Sequence, residues 1–228
     1  MMKQKLTILA VEKRTTMISR NSHVISKALR NFLGASVMTS FAGQLAVTTD
    51  AVIVSQKVGP DALSAINIVM PLTMLFSCAS ILIGLGASVL AARAIGDRDK
   101  ERVNSIFTIA LIMLTIAGIA ASVITCMNCS AIVDTICDDA RISPFALGYT
   151  RIITGGALFL IISSGINYFV STDGNPGLVT RGVAAGAVAN VVLDIILVGQ
   201  MGIAGSAWAT IINYTITLAV VSTHFFRR

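Results

Sequence analysis

Charge is what this chain lacks. Asp, Glu, Lys and Arg make up 12% of its 228 residues against 55% hydrophobic ones, and the mean hydropathy is +0.83, which excludes an ordinary soluble globular domain. Histidine is scarce as well. His23 and His224 are the only two, and neither has a second His or Cys at ligand spacing, so both read as interfacial side chains rather than metal ligands. The four cysteines, Cys78, Cys126, Cys129 and Cys137, do not form a secreted disulfide framework. Cys126-Met127-Asn128-Cys129 has the C-x-x-C spacing but lies at a helix end, without the strand-then-helix context of a redox site, so it reads as structural thiols. No secretory signal is evident, because Leu6 to Val11 is a short apolar core followed by charges. A mitochondrial-type targeting peptide is disfavoured by Glu12 and by the lack of an Arg and Ser stripe; Met17 is a second candidate start. No repeat of solenoid period is visible.

What remains is apolar and helical in period. At about 20 residues per crossing, the length accommodates six spans with short connections, so the expected fold is all-α, a polytopic membrane bundle of six transmembrane helices. The predicted spans run over 33–55, 66–93, 105–127, 152–170, 177–198 and 203–225, with Pro71 expected to bend the second. Lys57, Gly59, Pro60 and Asp61 make the first turn, and Asp173-Gly174-Asn175-Pro176-Gly177 is a strong turn between the fourth and fifth spans. Gly199, Gly202 and Gly205 mark a very short turn before the sixth. Gly182-x-x-x-Gly186 is a small-residue face expected to pack on a neighbouring helix of the same chain.

The net charge of +6 implies no nucleic acid once its placement is read. Seven basic residues (Lys3, Lys5, Lys13, Arg14, Arg20, Lys27, Arg30) precede the first span, and Arg93, Arg98, Lys100 and Arg102 cluster after the second. Asp134, Asp138 and Asp139 dominate the segment from Asn128 to Pro144. With six spans and both termini in the cytoplasm, 14 of the 17 basic residues lie inside and only Lys57, Arg141 and Arg151 outside, as the positive-inside rule asks. Residues 1–31 are thus expected to form a basic cytoplasmic tail and 32–228 a six-helix lobe in the plasma membrane.

Two carboxylates interrupt the apolar spans. A charge in hydrocarbon costs on the order of 2.5 to 3.5 kcal/mol even on the lenient insertion scale, so Asp50 and Asp194 should face a wet cavity, a partner or a cation. Both lie roughly 6 to 8 Å below the outer ends of spans that run the same way, at about 1.5 Å per residue. They could meet at one level. Asn190 stands one helical turn from Asp194, and Thr210 on the sixth span falls at the depth of Asn190. Two carboxylates, an amide oxygen and a hydroxyl suit a hard cation such as Na⁺, or the pair could share a proton; both couplings fit. Local structure alone is the competing explanation: Asp50 at a kink and Asp194 at a helix end. Thr48, Thr49, Ser163, Ser164, Asn167 and Asn213 are further polar residues within spans, able to line a cavity or bond across helices. Trp208 and Tyr214 read as bundle or interface aromatics.

Thr49-Asp50-Ala51-Val52-Ile53-Val54, Val58-Gly59-Pro60-Asp61-Ala62-Leu63-Ser64-Ala65, Gly86-Ala87-Ser88 through Gly96, Asp173-Gly174-Asn175-Pro176, Asn190-Val191-Val192-Leu193-Asp194 and Gly202 to Thr210 follow one another in an order that resembles the multidrug and toxic compound extrusion (MATE) transporters, in the DNA-damage-inducible prokaryotic branch. The resemblance covers nearly everything from Asn31. It implies a secondary active transporter rather than an enzyme, without a cofactor, in which Na⁺ or H⁺ entry drives export of small organic, often cationic, compounds. It also implies that Asp50, Asn190, Asp194 and Thr210 form the amino-lobe cation site. Ala35 stands where many relatives have a proline, and the turn between Asp194 and Gly202 is about two residues shorter than usual. The family has about twelve spans in two lobes around a cavity, so the resemblance implies one lobe. Such a lobe would pair with a second half, form a parallel homodimer, or be a non-transporting remnant.

An intramembrane aspartyl protease would also use two membrane aspartates. Asp194 lacks the glycine-containing motif of such enzymes and Asp50 lacks their preceding tyrosine.

Overall fold

In the computed structural model the backbone is described for residues 2–226, and side chains for 32–225 together with Ser26, Leu29 and Arg30. The basic run Lys3 to Lys27, His23, Met17, Arg227 and Arg228 lie outside the described side chains. Two units are distinguished, Met1–Met38 and Thr39–Arg228, and the first helix, α1 (Met2–Lys57), contributes to both. The part of α1 from Phe32 to Lys57 is apolar enough to cross a membrane.

Within the larger unit the described residues are helical apart from short turns. Gly59, at φ 119°, turns the backbone so that Pro60 can open α2 (Pro60–Ser80) at a position where its missing N–H costs nothing. The helix continues through Pro71, and the change in hydrogen bonding comes later, in a first π-helical segment (Ile81–Leu85) followed by α3 (Gly86–Gly96). Here Gly84 meets Gly165 so closely that a Cβ on Gly84 would stand 2.7 Å from the Gly165 backbone. Asp99 then caps α4 (Lys100–Met127), accepting from the Arg102 amide at 3.0 Å.

The acidic segment from Asn128 to Pro144 contains a short helix, α5 (Cys129–Ile136). The fourth span also differs from the predicted 152–170. It starts earlier, as α6 (Ser143–Gly155), and breaks at Gly156 into α7 (Ala157–Thr172) with a bend of 55°. Gly156 is needed there, because a Cβ would lie 2.4 Å from Ile211.

At the next turn Gly174 takes φ 91° and Asn175 accepts from the Leu178 amide, opening α8 (Pro176–Leu193) behind Pro176. A second π-helical segment begins at Asp194 itself (Asp194–Val198) and leads through α9 (Gly199–Met201) and Gly202 at φ 61° into α10 (Ile203–Phe226). Among the described residues five helices are long and apolar enough to cross a membrane, and six if the bent pair counts as one span.

Glycine lets α8 and α10 pack closely: Gly182 faces Thr217 and Val221, and Gly186 faces Asn213 and Thr217. Both contacts lie within the chain, as expected for this Gly-x-x-x-Gly pair. The main core joins Val54, Val69, Phe76, Leu114, Tyr149, Ile161, Val198 and Ala207. A second cluster, near the Asp173 turn, stacks Phe107 on Phe225 and Phe169 at centroid separations of 4.4 and 4.7 Å. Large apolar side chains such as Leu75, Leu82, Ile116 and Val188 face outward, which suits hydrocarbon and not water.

Candidate cation site

Each acid of the site is set by its helix. Asp50 lies two turns before the end of α1, on the same face as Val54, which is wholly buried in the core. That register turns Asp50 inward, leaving 9% of it exposed. Asp194 opens the second π segment and is wholly buried. A π-turn widens the helix locally and re-aims its side chains, and such turns recur at functional positions.

The two carboxyls lie against each other. They differ in support. Ser206 on α10 donates to Asp50 Oδ1 at 2.7 Å, whereas neither oxygen of Asp194 has a hydrogen-bond donor among the described residues. Buried polar atoms are nearly always partnered, so two orphaned oxygens on one carboxyl are exceptional. Asn190, 3% exposed, lies one turn before Asp194 on α8, and Thr210, half-buried, one turn after Ser206 on α10. Thr210 meets the phenol of Tyr149 on α6, and that buried phenol is within electrostatic reach of both acids.

Of the four residues singled out from the sequence, Asp50 and Asp194 are thus in contact. Thr210 joins them by way of Tyr149, and Asn190 is buried on the Asp194 helix. Sequence reading missed Ser206 and Tyr149. Ser206 and Thr210 have i, i+4 spacing and share a helix face, a signal present in the chain. Tyr149 was hidden because the fourth span was begun after it. Among the other intramembrane polar residues, Thr48 bonds back to the Gln44 carbonyl, Ser163 Oγ and Asn167 Oδ1 are buried without partners, and Asn213 Oδ1 accepts from Thr217. His224 is more than an interfacial residue, since its Nε2 meets Asp173 Oδ2 at 2.6 Å.

Two carboxyl groups, with no third acid, His or Cys beside them among the described residues, make a buried cluster of oxygen donors. The donor set fits protons or a hard monovalent cation. Asp194 in particular needs a positive partner, because an unpaired carboxylate is too poorly solvated to persist in such surroundings.

The family model MatE matches residues 35–196. The probable multidrug resistance protein YoeA of Bacillus subtilis is 24% identical over 181 residues, covering 77% of this chain and 39% of that protein. The multidrug export protein MepA of Staphylococcus saprophyticus is 21% identical, covering 73% of this chain and 37% of its own length. A crystal structure of MATE in the straight conformation superposes with a TM-score of 0.82 at 24% identity, over 88% of this chain and 45% of that one. The chain therefore spans about two fifths of the length of the curated relatives it matches.

Proposed function

Because this chain belongs to the MatE family, we propose that it is the amino-terminal lobe of a cation-coupled exporter, in which Asp50 and Asp194 bind the coupling Na⁺ or H⁺ that drives release of an organic, often cationic, compound. Family membership replaces the protease reading with transport. The observation that carries the proposal is the contact between two buried carboxyls from different spans, one of them without a donor among the described residues.

The mechanism follows from that imbalance. A proton or Na⁺ held between the acids, with Asn190 and Thr210 as further oxygen donors, neutralises Asp194 and draws α1 toward the second π segment. When the ion leaves, two like charges face each other in a poorly solvated pocket and repel, so α1 and the second π segment separate. Because α1 and the second π segment, which continues α8, carry the acids directly, loading and unloading are transmitted to whole helices and hence to the wall of a substrate path. Parallel repeats with the path at their interface are a common transporter plan, so the lobe works against a second lobe, whether in the same chain, a second half-chain or a parallel homodimer, in the plasma membrane. The charge distribution supports both ends in the cytoplasm.

Replacing Asp194 with Asn, in vesicles holding the chain and its second lobe, should abolish ion-driven efflux while leaving the protein folded. Efflux that remained coupled would remove the proposal.

A further inference from the structure

The outer end of α1 carries one cation, Lys57, whose side chain crosses to the second π segment. Its ammonium donates to the carbonyl of Ile195, the residue that follows Asp194. A Cβ on Gly199, the residue that follows the segment, would stand 3.4 Å from the same nitrogen, so the ammonium also lies near Gly199. No carboxylate among the described residues forms an ion pair with it; its observed partner is this backbone. Helix α1 is thus tied to the fifth span at three levels: Thr39 to Thr180 at 2.9 Å, Asp50 to Asp194, and Lys57 to Ile195.

A π-turn is a local departure from α-helical bonding and is held by what surrounds it. We propose that Lys57 is a positioning residue for the paired acids: by donating to the Ile195 carbonyl it fixes the second π segment, and so sets how the Asp194 carboxyl meets Asp50. This deepens the proposed function and rests on its paired-acid reading. A charge-assisted bond from Lys to a carbonyl is stronger than a neutral one, and although Lys57 is exposed, this bond is the one that reaches the Ile195 carbonyl. The long stem spans the gap between helices while the head reaches polar surroundings. An Arg at this position keeps both reach and charge, whereas Met keeps only the stem.

The test uses the full chain in lipid nanodiscs and compares wild type, Lys57→Met and Lys57→Arg. Two signals are read: amide exchange over residues 195–199, and the infrared carboxyl band that Asp194→Asn removes. The expected result is exchange about tenfold faster in Lys57→Met, with the Asp194 band displaced, and both signals restored in Lys57→Arg. Unchanged signals in Lys57→Met would overturn the proposal, and so would faster exchange with an undisplaced band, which is a merely structural effect. If wild type shows no Asp194-dependent band, the paired-acid reading fails instead. Amide exchange with its rescue by Arg then decides whether Lys57 holds the segment.

Discussion

Ser206 donates to Asp50 Oδ1 at 2.7 Å, joining the sixth span to the first inside the bundle. This bond separates the roles of the two acids, because Asp50 has a fixed donor and Asp194 has none among the described residues. Removing it with Ser206→Ala leaves a second buried carboxylate short of a partner. The expected loss is about 1 to 3 kcal/mol of stability, read as a lowered thermal midpoint in detergent, with Ser206→Thr close to wild type. Equal midpoints for the Ala and Thr variants would show that the bond contributes nothing.

Close helix packing gives a second prediction. A Cβ at Gly205 would stand 2.4 Å from the Leu197 carbonyl, and one at Gly186 would be 2.2 Å from Asn213 Oδ1 and 2.8 Å from its backbone oxygen. Backbone cannot swing aside, so Gly205→Ala and Gly186→Ala should each cost about 1 to 3 kcal/mol or more. Gly86→Ala meets nothing within 4 Å and should stay within about 0.5 kcal/mol of wild type. Yield of folded protein and the thermal midpoint decide it.

At the opposite end, His224 and Asp173 are 11% and 3% exposed and 2.6 Å apart, with Asn175 beside the other ring nitrogen at 3.4 Å. The pair pins the last turn of α10 to the turn before α8, over the Phe107, Phe169 and Phe225 cluster. A double-mutant cycle with His224→Gln and Asp173→Asn should give a coupling of about 0.5 to 3 kcal/mol. Additive effects of the two substitutions would mean the contact is incidental.

One exposed turn should be acid-sensitive independently of the paired acids. The Arg141 amide, at 2.8 Å, and then its guanidinium hold the Asp139 carboxyl below the usual carboxylate range. A lowered value in the folded state means the contribution is present above the ordinary pKa of about 3.9 and is lost as pH falls through the folded value. Amide exchange at residues 139–143 should therefore quicken only below about pH 4, and Asp139→Asn should remove that dependence. Loosening near neutral pH would contradict it.

The sequence was most legible where one period dominates. Third, fifth and sixth spans are found within a few residues of their predicted places, and Asp50 and Asp194 meet as their depths implied. The fourth span was begun too late because α6, its first part, carries Tyr149, Thr150 and Arg151, and the 55° bend that joins it to α7 leaves no mark on hydropathy. Neither π segment was visible, since its bonding depends on what packs against it: Gly165 against the first, Gly205 and Lys57 against the second. Tyr149 and the His224 to Asp173 pair escaped for a related reason. Each is a contact between residues distant in the chain, and composition carries no trace of it.

The most direct test of the paired-acid account is cation binding by the full chain in lipid nanodiscs, measured as proton uptake on acidification and as its displacement by Na⁺. The account predicts one site per chain, lost in Asp50→Asn and lost again in Asp194→Asn, because neither carboxyl holds the ion alone. Uptake that persisted unchanged in either variant would contradict it.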